Sequence, residues 1–143
     1  MVSRIYAEND VLHQSGVELV CLLYAETIAR VSRALESLKT GQTQQRGAAI
    51  GGAMAIIVEL QGSLDEEAGG QIAKDLARLY DYIQERLITG HAKRNAVPLV
   101  EARRLLQELL EGWQECRAAL EDSLHEPIAE LASPSGSARG WTL

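Results

Sequence analysis

The chain has 143 residues, 46% apolar and 24% charged, with 14 Lys+Arg against 20 Asp+Glu. That length fits one globular domain, and the composition is neither that of a disordered chain nor that of collagen. A net charge of −6 without any long Lys/Arg run argues against nucleic-acid binding by counterion release.

Residues 1–14 lack both the apolar core of a signal peptide and helical periodicity. They do hold Ile5, Tyr6, Val11 and Leu12, so an extended N-terminal arm is expected there. From Val17 the apolar spacing is three and four. Val17, Val20, Tyr24, Ile28, Val31, Leu35 and Leu38 form one stripe. Ser15 with Glu18 fits a capping box, and Gly41 suits a left-handed C-terminal cap. The first helix is predicted over Val17 to Lys39.

A second stripe holds Ile50, Ala53, Ile57, Leu60 and Leu64. Gly47, Gly51 and Gly52 cost about 1 kcal/mol each against Ala in a helix. The expectation is that this segment packs most tightly against a neighbour. Ser63 to Gly70 reads as an acidic connection. Ile72, Leu76, Leu79, Ile83 and Leu87 make the third stripe, which Gly90 should end. Tyr80 and Tyr82 are about 200° apart on a helix, so Tyr80 should face the core and Tyr82 the surface. Asn95 can cap a fourth helix with Pro98 in its first turn. Its stripe is Ala102, Leu106, Leu109, Trp113, Cys116, Leu120 and Leu124, with Trp113 expected in the core. The segment SPSGSARGWTL, residues 133–143, reads as a disordered tail.

Four amphipathic helices with short connections predict an all-α, antiparallel up-down four-helix bundle over residues 15–132. The apolar faces are wider than such a bundle needs. Leu19, Leu22 and Leu23 extend the first stripe, and that excess has to meet an arm, a second subunit or a bound peptide.

The usual chemistry of such bundles is missing from the sequence. No Glu-x-x-His pair suits a di-iron centre. His13, His91 and His125 are isolated, and no haem, Walker or dinucleotide motif occurs. Asp65, Glu66 and Glu67 read as solvated loop charge. No catalytic residue, metal or cofactor is expected, so the chain should be a binding protein rather than an enzyme. Cys21 and Cys116 are too few for a disulfide framework. The longest stretch free of strongly polar residues, Ala48 to Val58, is about half of a membrane span. A soluble cytoplasmic protein without membrane insertion is expected.

The run SLDEEAGGQIAKDLARLYDYIQERL, Ser63 to Leu87, closely resembles the junction of the second and third helices in the flagellin-specific export chaperones, the FliS family. That family carries Ser-Leu-Asp, Gly-Gly-x-Ile-Ala and Leu-Tyr-x-Tyr there. GVELVCLLYAETI, Gly16 to Ile28, is similar to its first helix, and LLQELLEGWQEC, Leu105 to Cys116, to its last. The spacing between the three stretches also fits. Gln14-Ser15-Gly16 stands where the family usually has Ala-Ser-Pro, and Ala25-Glu26 where it has Asp-Gly.

The resemblance implies a cytosolic chaperone that binds the C-terminal segment of flagellin and prevents premature polymerisation. It further implies help in delivery to the flagellar type III export gate. Tyr6-Ala7-Glu8-Asn9 matches the family's Tyr-x-x-Asn arm, which can cover an apolar site that the client later occupies. Ile5 and Tyr6 are therefore candidate partner-binding residues, joined by Leu19, Leu22, Leu23 and Tyr82. Two alternatives remain at this point: an adaptor or co-chaperone of the same fold with a non-flagellin client, and a weak homodimer whose broad faces pack on themselves.

Overall fold

A computed structural model describes residues 14–132, with side chains over 16–119. The expected arm, including Ile5 and Tyr6, and the expected tail from Ser133 lie outside the described residues. The architecture is four helices: α1 Gln14–Lys39, α2 Thr43–Gly62, α3 Glu66–Ala92 and α4 Ala96–Ala132. Connections this short force neighbours to run antiparallel. α1 packs on α2 and α4, and α3 packs on the same two. The helices therefore form a ring, with α1 and α3 across its diagonal.

The stripes become the core. Val17, Val20, Tyr24 and Val31 of α1 are buried with Ile50, Ala53, Ile57 and Leu60 of α2. Ala73, Tyr80, Ile83 and Leu87 of α3 and Leu99, Ala102, Leu106 and Trp113 of α4 complete it. Leaving water stabilises each large aliphatic side chain by about 1.5–3 kcal/mol. Tyr80 is fully buried and Tyr82 exposed, as their angular separation requires. Ile72 departs from its stripe: it lies near the start of α3, where the bundle opens, and is exposed. Thr27 is buried inside α1, and its hydroxyl donates to the Leu23 carbonyl at 2.7 Å.

The ends correct several expectations. α1 is helical from Gln14, so Ser15 lies within its first turn and not at the cap. No proline bars that extension, and Ser and Gly oppose it by no more than about 1 kcal/mol each. α1 ends as expected. Gly41 has φ +72°, and its N–H donates to Leu38 while that of Gln42 donates to Ser37. This is the Schellman pattern that satisfies the last carbonyls. α2 is unbroken from Thr43. Its Gly47 makes room for the His91 ring and its Gly52 for the Arg30 side chain.

Ser63 to Gly70 is not one loop. Asp65 accepts the Ala68 N–H at 3.0 Å as an N-cap, and Glu66 and Glu67 occupy the first turn of α3. Carboxylates are favoured there by the helix dipole. The break falls later, at Gly70, whose φ 59°, ψ −137° is open only to glycine. Gly90 does not terminate α3 either. The helix runs to Ala92, and Arg94 takes the left-handed position with φ 51°. Its N–H donates to His91 and that of Asn95 to Gly90. Gly90 is instead a close approach, since a Cβ there would lie 2.6 Å from Leu99 Cδ2. Asn95 caps α4 through Oδ1 and the Val97 N–H, 3.0 Å, with Pro98 in the first turn.

Candidate functional site

The middle of α4 is flanked by two grooves, one on each side of its core-facing seam. Between α1 and α4 a groove of about 290 Å³ is lined by Glu18, Cys21, Leu22 and Ala25 facing Leu110, Gln114 and Arg117. Between α3 and α4 a groove of about 260 Å³ is lined by Ile72 and Leu76 facing Leu109, Gly112, Trp113 and Cys116. The second is almost wholly apolar, with Glu108 as the one charged side chain on its wall.

Both grooves lie at the end of the bundle where α1 and α3 begin. Gly112 adds to the opening. A Cβ at this position would meet nothing within 4 Å, so packing does not demand a glycine. Its missing side chain leaves the second groove unfilled.

Leu19 and Leu22 stand out on α1 beside the first groove, with 49% and 66% of their surface exposed. Solvated leucines one turn apart on a helix form a continuous apolar strip. Leu23 is different: it is half-buried and packs against the core. Its neighbours claim that surface, so it does not extend the open strip.

Tyr82 sits elsewhere, on the α3–α4 ridge towards the other end. Its hydroxyl donates to Glu101 Oε2 at 2.6 Å, and Arg86 lies 5.8 Å over its ring. Arg86 also approaches Glu101 at 3.6 Å and pairs with Glu85 at 2.9 Å. The Glu101 carboxylate holds the Tyr82 phenol above its ordinary range, and the Arg86 guanidinium keeps Glu85 below its own. Tyr82 is thus the centre of a polar cross-link, and it is not brought together with Leu19 and Leu22.

Of the cysteines, Cys21 is buried and Cys116 half-exposed in the second groove. Burial pushes the Cys21 thiol up, against the opposing pull of Arg117. Glu26, standing at a position where the sequence departs from the family, is used by its own helix. It pairs with Arg30 at 2.8 Å and Arg33 at 3.5 Å, and the Arg30 hydrogen bond holds its carboxyl low.

Among the described residues no cluster of three or more His, Cys, Asp or Glu is placed to hold a metal ion. Nor is any helix among them long and apolar enough to cross a membrane. The arrangement offers apolar helix faces and clefts.

Ile72, Leu76, Leu109 and Gly112 were not among the residues singled out for binding, because in sequence their stripes read as core. A glycine inside a strong helical stripe, beside Trp113 and without a turn signal, was the available clue.

Known proteins resemble this chain over most of its length. The model of a family described as flagellar protein FliS matches residues 1–120. The flagellar secretion chaperone FliSB of Pseudomonas aeruginosa is 35% identical over 110 residues, covering 77% of this chain and 87% of that protein. The flagellar secretion chaperone FliS of Salmonella typhimurium is 31% identical over 114 residues, covering 79% and 84%. That of Vibrio cholerae is 25% identical over 112 residues, covering 78% and 82%.

Proposed function

The chain belongs to the flagellar protein FliS family, and from that premise we propose that it is a cytosolic chaperone for the C-terminal segment of flagellin. It holds that segment so that it does not polymerise early, and assists its delivery to the flagellar type III export apparatus. Chaperoning in flagellar secretion is the role carried by the names of its relatives. The observation that supports a client of this kind is the pair of grooves flanking the middle of α4, one of them almost wholly apolar.

An aggregation-prone amphipathic segment is held by offering it apolar helix faces, so that its anchors leave water in a cleft. A segment that orders on binding gives up about 2–5 kcal/mol of gross interaction energy, which favours a long wrapped surface. Two grooves on one helix provide such a surface, and the segment can cross from one to the other around the end of the bundle. Leu19 and Leu22 are assigned as client contacts. Ile5 and Tyr6 are proposed to cover the same end when the client is absent and to be displaced or re-sited on binding. Leu23 supports the strip from beneath, and Tyr82 fixes α3 to α4. Nothing in this role needs catalysis or a cofactor.

Titration calorimetry with a flagellin C-terminal peptide from the same genome tests the proposal. The expected result is one-to-one binding with a negative heat-capacity change, the marker of apolar burial, and a gain of helix by circular dichroism. Leu22→Asp should weaken binding about tenfold, the effect of losing one well-placed apolar anchor, without lowering the melting temperature. A folded chain that does not bind the peptide would overturn the proposal and favour an adaptor with another client.

A further inference from the structure

The α3–α4 groove invites an occupant from the chain itself. We propose that Trp141, in the C-terminal segment outside the described residues, seats in this groove in the same molecule and covers it when no other ligand is bound.

Four observations carry this. First, the groove takes one bulky apolar group. Its lining is Ile72, Leu76, Leu109, Trp113, Cys116 and the bare backbone of Gly112, and about 260 Å³ suits a single large aromatic side chain. Second, the segment SPSGSARGWTL has only two large apolar residues, Trp141 and Leu143, in a chain that has just two tryptophans altogether.

Third, the reach fits. α4 carries the backbone to Ala132. From there back to the level of Cys116 is about 24 Å at 1.5 Å per helical residue. The nine residues from 133 to 141 span up to about 30 Å when extended. Trp141 can therefore reach the Cys116 end of the groove with a few ångströms left for the chain to turn back.

Fourth, the lining of this groove suits an apolar side chain better than that of the other. The segment carries Arg139 and no acidic side chain. Glu108 on the wall of the α3–α4 groove is paired with Arg104 at 2.9 Å, and Glu111 and Glu115 are exposed nearby on α4, so Arg139 meets no like charge on that wall. The α1–α4 groove is lined by Glu18, Gln114 and Arg117 beside its apolar side chains, so it offers Trp141 a more polar wall.

The covered groove is one of the two assigned above to the client. Competition between Trp141 and client rests on that assignment, whereas the seating of Trp141 does not.

Fluorine NMR of the full chain labelled with 5-fluorotryptophan gives two signals, from Trp113 and Trp141, and Trp141→Phe assigns them. The reference is the free peptide SPSGSARGWTL carrying the same label. The expected result is a Trp141 signal shifted from the peptide position, at a value independent of protein concentration. Gly112→Leu, which fills the groove where a Cβ meets no neighbour, should return it to the peptide position. Ile72→Glu, at an exposed wall residue, should do the same if the first variant folds poorly.

A Trp141 signal at the peptide position in the unaltered chain overturns the proposal, as does a shifted signal that neither variant moves. A shift that grows with concentration also overturns it, since the groove would then be filled by a second copy. Adding the flagellin peptide separates the two readings. Release of Trp141, with Trp141→Ala tightening client binding about 3- to 10-fold as a mostly covered groove requires, supports both. Client binding that leaves Trp141 docked keeps the seating and removes this groove from the client's path. If the client peptide does not bind at all, the docked signal still stands and only the chaperone assignment fails.

Discussion

The hydroxyls of Tyr24 on α1 and Tyr80 on α3 meet in a hydrogen bond across the diagonal of the bundle. Their rings stand edge-on, with centroids 6.4 Å apart and planes at 60°, and both side chains are fully buried. Opposite helices of a four-helix ring are separated by the core, so only long side chains can join them. These two phenols span the gap and pair their polar tips in a largely aliphatic interior.

A double-mutant cycle should reveal that pairing. Tyr80→Phe and Tyr24→Phe each remove one hydroxyl and leave the other without this bond, at an expected cost of about 1–2 kcal/mol. The double variant should cost less than the sum of the two, because it removes both polar groups together. Urea unfolding of the four proteins measures this, and strict additivity would deny the coupling.

At the end of α3, two substitutions should act with opposite sign. Gly90→Ala puts a Cβ 2.6 Å from Leu99 Cδ2 and 3.1 Å from the Asn95 carbonyl oxygen, and overpacking of this kind costs about 1–3 kcal/mol. Arg94→Gly relieves a left-handed residue and should stabilise by about 1 kcal/mol. Thermal melts would show the first variant falling by several degrees and the second rising.

Gly70 is a different case, because its surroundings are open. Gly70→Ala should still cost about 1–3 kcal/mol, all from a backbone conformation that side chains rarely adopt. Gly62→Ala is the matching control: it also has free space around it, but no left-handed backbone. It should be neutral or slightly stabilising in the same melts.

The cysteines should separate under alkylation. Cys116 is half-exposed, whereas Cys21 is buried with its thiol pushed up. A raised thiol means less thiolate at any given pH, and thiolate is the reacting form. In the Trp141→Ala variant, whose groove is open, iodoacetamide at pH 8 should therefore modify Cys116 first, as read by intact mass and peptide mapping. Cys21 should follow only at higher pH or on unfolding. Equal rates in the folded protein would contradict the burial of Cys21.

Much of the bundle was legible before any coordinates. The stripes through Tyr24, Ile57, Ile83 and Leu106 mark the buried faces, because a helix face is a local property set by spacing of three and four. Local capping chemistry was readable too at Gly41, Asn95 and Pro98. The proposed binding surface was only half legible. Leu19 and Leu22 showed as apolar excess, but Ile72, Leu76 and Leu109 looked like ordinary core, because whether a stripe is covered depends on how far its neighbours extend.

The sequence by itself determined four helices, their order and their buried faces, since these follow from contacts within a few residues along the chain. Tertiary structure alone decided what each special residue is for. Gly90 and Gly41 look alike as helix stops, yet one ends a helix and the other admits Leu99, a difference made by the side chain opposite. Tyr82 looked like a free aromatic until Glu101, on the next helix, took its hydroxyl. Leu22 and Leu23 are adjacent leucines, and only the position of the surrounding helices leaves the first in water and packs the second against the core. Partners distant in sequence make these distinctions, and no local pattern encodes where they stand.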